Sequence, residues 1–171
     1  MSLMAEPGAW RTVSLAEDDL ILRPWRTGDQ ELMGTTIHAP EIARYFGRRL
    51  DVPDGEPLPE DPDAPMFAIT EGGAVVGVIW FGRGIRPFEV GYYLHPAACG
   101  RGVATRSLKL VTDWMLDGLN QECVVLHTHP ENARSQAVAL RAGYSPDGEV
   151  ARYAAFKDGT TRALRYRAAK Q

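Results

Sequence analysis

Gly100 and Gly102 bracket Arg101 where the aromatic stretch "FEVGYYLH" and the turn residues after it hand over to a run with helical spacing. A helix that begins near Gly102 leaves its first N–H groups without intrahelical partners and carries partial positive charge at that end. Small residues at Gly100, Gly102 and Ala104 let anionic oxygens approach the backbone, and Arg101 can add a charge-assisted contact, so this spacing suits phosphate. A tight turn that binds nothing uses the same residues. Two phosphate loops are excluded. Walker A needs Gly-x-x-x-x-Gly-Lys-Ser/Thr, which is nowhere in the chain, and the dinucleotide fingerprint needs a third glycine where Thr105 stands.

His127 and His129 are one residue apart, so on a strand they share a face and could bind metal, act as base or line a pocket. Two histidines alone do not make a metal site, and no metal is expected. Cys99 and Cys123 are too few for a disulfide framework and lack metal-ligand spacing. Cys99 has no evident activating base and reads as structural.

These residues need elements to position them. "DLILRPWRTGDQELM" alternates as a strand up to Pro24, then enters a polar turn and a helix that Asp29 could cap. "APEIARYFG" has Ile42, Tyr45 and Phe46 at helical spacing and a stop at Gly47. Residues 51–65 hold five prolines, six carboxylates and no basic residue, which predicts a loop. "MFAITEGGAVVGVIWFG" is a hairpin around Gly72-Gly73, and "FEVGYYLH" a further strand in which Gly91 marks a bulge or a close approach. Ala104, Leu108, Val111 and Met115 form one apolar helical face. "CVVLHTH" is a buried strand, and "NARSQAVALRAGY" a helix capped by Asn132 and stopped by Gly143. The tail reads as two strands around "KDGT". The strand-helix-strand unit in the second half implies one parallel crossover in an otherwise antiparallel sheet, hence a mixed α/β fold.

A length of 171 residues fits one domain, with residues 1–19 an N-terminal extension, residues 20–171 the domain, and residues 1–3 an expression scar ahead of Met4. A formal charge of −3 argues against a nucleic-acid partner. No apolar run is long enough to cross a bilayer, so no membrane role is expected. The cysteine usage and the unremarkable start fit a reducing cytoplasm.

The motifs "DLILRPWRTGD", "EVGYYLHP", "GRGVATRSL" and "NARSQAVALRAGY" together resemble the GNAT superfamily of acetyl-CoA-dependent N-acetyltransferases, in particular its RimJ/RimL type. The family's Gln/Arg-x-x-Gly-x-Gly/Ala signature falls on "CGRGVA", with Cys99 departing at the first position. The resemblance implies a single-domain α+β fold: a mostly antiparallel twisted sheet flanked by helices, whose "GYYLHP" and "VVLHTH" strands splay apart to hold acetyl-CoA, with Gly91 at a bulge where they diverge. It implies backbone contacts from Tyr93 and Leu94 to pantetheine, and from Gly100, Arg101, Gly102, Val103, Ala104 and Thr105 to the pyrophosphate. Asn132 would reach the cofactor's amide region or serve only as a helix cap; Arg141 would approach the phosphates or adenine, or stay a solvated helix arginine.

On this resemblance a primary amine attacks the thioester directly. Glu89 is the first candidate for general base, a solvated strand-edge glutamate being the competing reading. Many relatives protonate the sulfur with a tyrosine seven residues after the asparagine; here that position is Ala139, and Ser135 is the natural substitute. The acidic loop at 51–65 could attract basic N-termini to the acceptor site or be a solvated linker. Trp80, Phe81 and Trp114 read as pocket walls or as core. The acceptor stays open between a peptide or protein N-terminus and a small amine, and relatives of this type often pair, which keeps a homodimer in view. The alternative function is a non-catalytic acyl-CoA-binding regulatory module; a nucleotide-dependent enzyme is a third reading.

Overall fold

The computed structural model describes residues 9–26, 28–45, 65–82, 88–153 and 156–170. The expected acidic loop, apart from Pro65, and the helix stop at Phe46-Gly47 lie outside the described residues, as do residues 1–3. Strands β1 (Leu15–Glu17), β2 (Leu20–Pro24), β3 (Met66–Glu71), β4 (Ala74–Gly82), β5 (Phe88–Leu94), β6 (Cys123–Thr128), β7 (Ser145–Val150) and β8 (Ala163–Ala169) form one sheet. Its eight strands run in the order β1-β2-β3-β4-β5-β6-β8-β7. Every neighbouring pair is antiparallel except β5 and β6, which are parallel and joined through helix α3 (Val103–Asp113). Helices α1 (Asp29–Thr36) and α2 (Pro40–Ala43) precede β3, and α4 (Ala133–Arg141) follows β6.

The expected apolar face of α3 is buried: Leu108, Val111 and Met115 are fully covered and pack on Phe67, Ile79, Phe81, Val90 and Leu126. The helix runs on into a π turn, Trp114–Gly118, and the Trp114 ring meets Phe67 and Phe81 edge-on at 5.8 and 5.5 Å. Phe81 and Trp114 are therefore core residues. The other sheet face carries a smaller cluster of Met33, Ile37, Met66, Val78 and Tyr93, with Trp80 packed against it. Residues 9–17 join the fold: Trp10 is buried against Phe67, and β1 pairs with β2.

Two local expectations are corrected. The β4–β5 register runs without a break through Trp80↔Gly91, so Gly91 is not a bulge. A Cβ there would sit 2.4 Å from the Trp80 ring, so glycine makes room for the indole. Asp29 is the first residue of α1 and does not cap it; Gly28, at φ 98°, occupies the cap position. The tail does form the two expected strands around "KDGT": β7 and β8 pair antiparallel up to Val150↔Ala163, and nearer the turn the Tyr153 N–H donates to the Thr161 carbonyl at 2.9 Å and the Phe156 N–H to the Thr160 carbonyl at 2.8 Å.

The Asp29 carboxylate instead accepts two bonds from the Arg23 guanidinium, at 2.6 and 3.0 Å, and the Arg26 N–H at 2.8 Å. Burial pushes its pKa up, but these donors outweigh burial and hold it below the ordinary carboxylate value. The folded-state pKa is depressed, so this stabilisation is complete above the unfolded value of about 3.9 and is lost as pH falls through the folded value. Asp29→Asn is expected to cost about 2–3 kcal/mol, because it leaves Arg23 largely buried without its counter-charge. Thermal melts should show a Tm lower by about 5–10 °C at pH 7 and a difference that narrows as pH falls below the unfolded value of about 3.9.

Candidate functional site

The site begins where the sheet fails to stay closed. β4 holds β5 as far as Gly77↔Leu94, and β8 holds β6 as far as Thr128↔Leu164. Between them, β5 and β6 pair only at Phe88↔Val124 and Glu89↔Val125. Each strand follows its outer neighbour, and a cleft opens along β5 from Val90 to Leu94. Tyr93 and Leu94 line that edge with backbone. The Tyr93 side chain is committed to the opposite face, where its hydroxyl donates to the Met33 carbonyl at 3.0 Å and burial raises its pKa. Leu94 is buried in the main core.

The cleft ends at the glycine loop. After β5 the His95 N–H donates to the Val76 carbonyl at 2.8 Å, and a 3-10 turn, Pro96–Ala98, follows. Gly100 and Gly102 have φ of 79° and 83°, and a Cβ at either would meet no atom within 4 Å. Within the protein it is the left-handed backbone, not crowding, that calls for glycine. Gly102 is the N-cap of α3 and offers no side chain. Its carbonyl accepts the first helical bond, from the Arg106 N–H at 3.0 Å, so the amides of Val103, Ala104 and Thr105 precede the helical ladder. Thr105 Oγ1 is buried there with no hydrogen-bond partner. Arg101 reaches sideways to Glu71 Oε2 at 2.7 Å. Arg106 pins the first turn to the β1–β2 hairpin through Glu17 Oε2 (3.0 Å), the Glu17 carbonyl (2.8 Å) and Asp19 Oδ1 (3.3 Å).

Across the cleft stands α4. Asn132 caps it, its Oδ1 accepting the Ser135 N–H at 3.1 Å. Ser135 Oγ lies 3.3 Å from the Tyr92 hydroxyl on β5. Burial pushes the Tyr92 phenol up to about 12, against smaller downward effects of the Ser135 bond and the Arg141 charge. Arg141 is exposed at the end of α4.

On the opposite face of β5 is a second cluster. Glu89, its side chain 39% exposed, receives the Tyr153 hydroxyl on Oε1, and His127 Nδ1 lies 3.1 Å from the same oxygen without aligned hydrogen-bond geometry. The His127 and Tyr153 rings are tilted by 31° with centroids 4.8 Å apart. His129 does not join them. Its Nδ1 accepts the Glu131 N–H and its Nε2 bonds Asp158 Oδ2, both at 3.0 Å, which satisfies both ring nitrogens. Among the described residues no group of three His, Cys, Asp or Glu side chains could hold a metal ion.

The structure thus gathers Gly100 to Thr105, Tyr93, Leu94, Asn132, Ser135 and Arg141 around one cleft, and sets Glu89 at the last paired position, where the cleft begins, with its side chain on the other face. Tyr92 and Tyr153 escaped the sequence reading. Alternation along "FEVGYYLH" could have put Tyr92 opposite Tyr93; nothing local could have brought Tyr153 to a residue 64 positions away.

The sequence model of the acetyltransferase (GNAT) domain matches residues 19–145. Among solved structures, the fold is similar to the ribosomal-protein-S5-alanine acetyltransferase of Vibrio fischeri: TM-score 0.74, 16% identity, 92% of this chain and 96% of that one covered. It is similar also to Mycobacterium smegmatis RimJ in complex with CoA-disulfide: TM-score 0.75, 18% identity, coverage 94% and 88%. A third is RimL, a ribosomal L7/L12 alpha-N-protein acetyltransferase in complex with coenzyme A: TM-score 0.75, 15% identity, coverage 92% and 98%.

Proposed function

The chain belongs to the acetyltransferase (GNAT) family, and from that premise we propose that it carries the acetyl group of acetyl-CoA to a primary amine by direct attack on the thioester. The observation that carries this reading is the cleft that opens between β5 and β6 after two ladder positions and runs to the uncapped start of α3. A pantetheine arm fits there as an added half-strand, running along the edge of β5 at Tyr93 and Leu94. The pyrophosphate fits the amides from Gly102 to Thr105, with the orphan Thr105 hydroxyl at hand, while Arg101 contributes only if it leaves Glu71. Asn132 acts chiefly as the cap that fixes Ser135. Arg141, at the end of α4, would meet the distal end of the cofactor.

The acceptor amine enters from the Glu89 face. An α-amine has a pKa of about 8, so a substantial fraction is already neutral at pH 7.5, and a carboxylate or one intervening water can take the remaining proton. Glu89 is the base, with His127 and Tyr153 fixing its orientation. Ser135, on the other side of β5, hydrogen-bonds the sulfur as the thiolate departs. The RimJ and RimL likeness favours a peptide or protein N-terminus as acceptor. Free thiols at Cys99 and Cys123 suit a reducing cytoplasm.

Incubation with acetyl-CoA and a panel of N-terminal peptides, polyamines and amino acids tests this. The expected result is release of free coenzyme A together with one acetyl added to an acceptor amine, read by mass spectrometry. Tight acetyl-CoA binding with no thiol released from any acceptor would favour the non-catalytic module.

A further inference from the structure

The phenol that many GNAT enzymes place on the α4 helix is absent here, and Ala139, which holds its position, is fully buried in the main core. A phenol nonetheless reaches the same helix from the other side of the cleft. Tyr92 extends from β5 and packs against that core, and its hydroxyl ends 3.3 Å from Ser135 Oγ.

A serine in a helix's first turn commonly spends its hydroxyl on the backbone. Here the Asn132 side chain caps the first turn by accepting the Ser135 N–H, and the Ser135 hydroxyl pairs with the Tyr92 hydroxyl across the cleft. Each hydroxyl has one proton to donate and lone pairs to accept. If Tyr92 donates to Ser135, the serine's own proton is free to point at a third atom; if Ser135 donates to Tyr92, it is spent. We propose that Tyr92 is a positioning residue for thiolate departure, donating to Ser135 Oγ and thereby turning the Ser135 proton toward the sulfur of coenzyme A.

This rests on the acetyltransferase reading and names a residue that reading does not require. No proton leaves Tyr92: burial raises its pKa to about 12, so it stays a donor throughout the working range. The groups facing it are Arg141 on α4, Cys99 before α3 and Tyr144 at the turn into β7. Tyr144 bonds Thr112 at 2.6 Å. A donor chain ending on sulfur stabilises thiolate over thiol, so the pKa of bound coenzyme A should lie below that of the free thiol.

The test titrates the ultraviolet absorbance of the thiolate in the complex with coenzyme A, which needs neither acceptor nor turnover. Tyr92→Phe keeps the ring and is expected to raise the bound thiol pKa by about one unit, roughly tenfold in thiolate fraction. Ser135→Ala should raise it at least as much, and the double variant no more than Ser135→Ala alone. Should Tyr92→Phe fold poorly, a fluorotyrosine at position 92, a stronger donor of nearly the same shape, is expected to lower the thiol pKa instead. An unchanged thiol pKa in a coenzyme-A-bound Tyr92 variant, or fully additive effects of the two single variants, overturns the proposal while leaving the acetyltransferase reading intact. A wild-type protein that binds no coenzyme A overturns both.

Discussion

Glu89→Gln is expected to lower kcat for amine acetylation by about 100-fold at pH 7, in the usual range for a general base, while acetyl-CoA binding by titration calorimetry changes by less than about threefold. Gln keeps the shape and still accepts from Tyr153, so the packing against His127 survives and only proton acceptance is lost. The deficit should shrink as pH rises past about 8, because the acceptor α-amine then reaches the site already neutral. His127→Asn should be milder, about tenfold, since the histidine braces the carboxylate in this scheme and does not take the proton. If Glu89→Gln retains wild-type kcat and His127→Asn loses it, the roles are exchanged and the base is the imidazole.

The second large effect is structural. Gly77 lies opposite Leu94 in the β4–β5 ladder, and a Cβ there would come 2.6 Å from the Tyr93 carbonyl oxygen, 2.5 Å from Leu94 Cδ2 and 3.2 Å from Leu94 Cα. A leucine methyl can turn aside, but the backbone of the partner strand cannot without spoiling its ladder. Gly77→Ala should therefore cost about 3 kcal/mol, visible as a Tm lower by about 10 °C. It should also weaken acetyl-CoA binding, because the backbone it displaces at Tyr93 and Leu94 is the edge assigned to pantetheine. Gly91→Ala is the control. The atoms a Cβ would meet there belong to the Trp80 ring, which has more freedom to shift, so the loss should be smaller. Equal Tm losses at the two positions would refute this ranking.

These two glycines also mark the boundary of what the residue order can disclose. A glycine inside a strand signals that something comes close, but whether that is a bulge, a ring or a neighbouring backbone depends on the strand paired with it. For Gly91 the residue order leaves a bulge and a close approach open, and the pairing with β4 decides for the approach of the Trp80 ring. Features set by neighbours in sequence were legible: the left-handed glycines before α3, the Asn132 cap, the apolar stripe of Leu108, Val111 and Met115. Asp29 went astray for a local reason, since the Arg23 guanidinium six residues away competes for the same carboxylate. The Tyr92–Ser135 and Glu89–Tyr153 contacts span 43 and 64 residues and arise only once the strand order is in place.

The two-position ladder between β5 and β6 has a mechanical consequence. Strands β1 to β5 make one plate and β6, β8 and β7 another, and the seam between them is stitched at one end only. Along the rest of the seam, helices bridging above the sheet and whatever fills the gap must carry the load. An occupant that bonds to the loose margin would act as a splint, stiffening the molecule across its middle far more than at either rim.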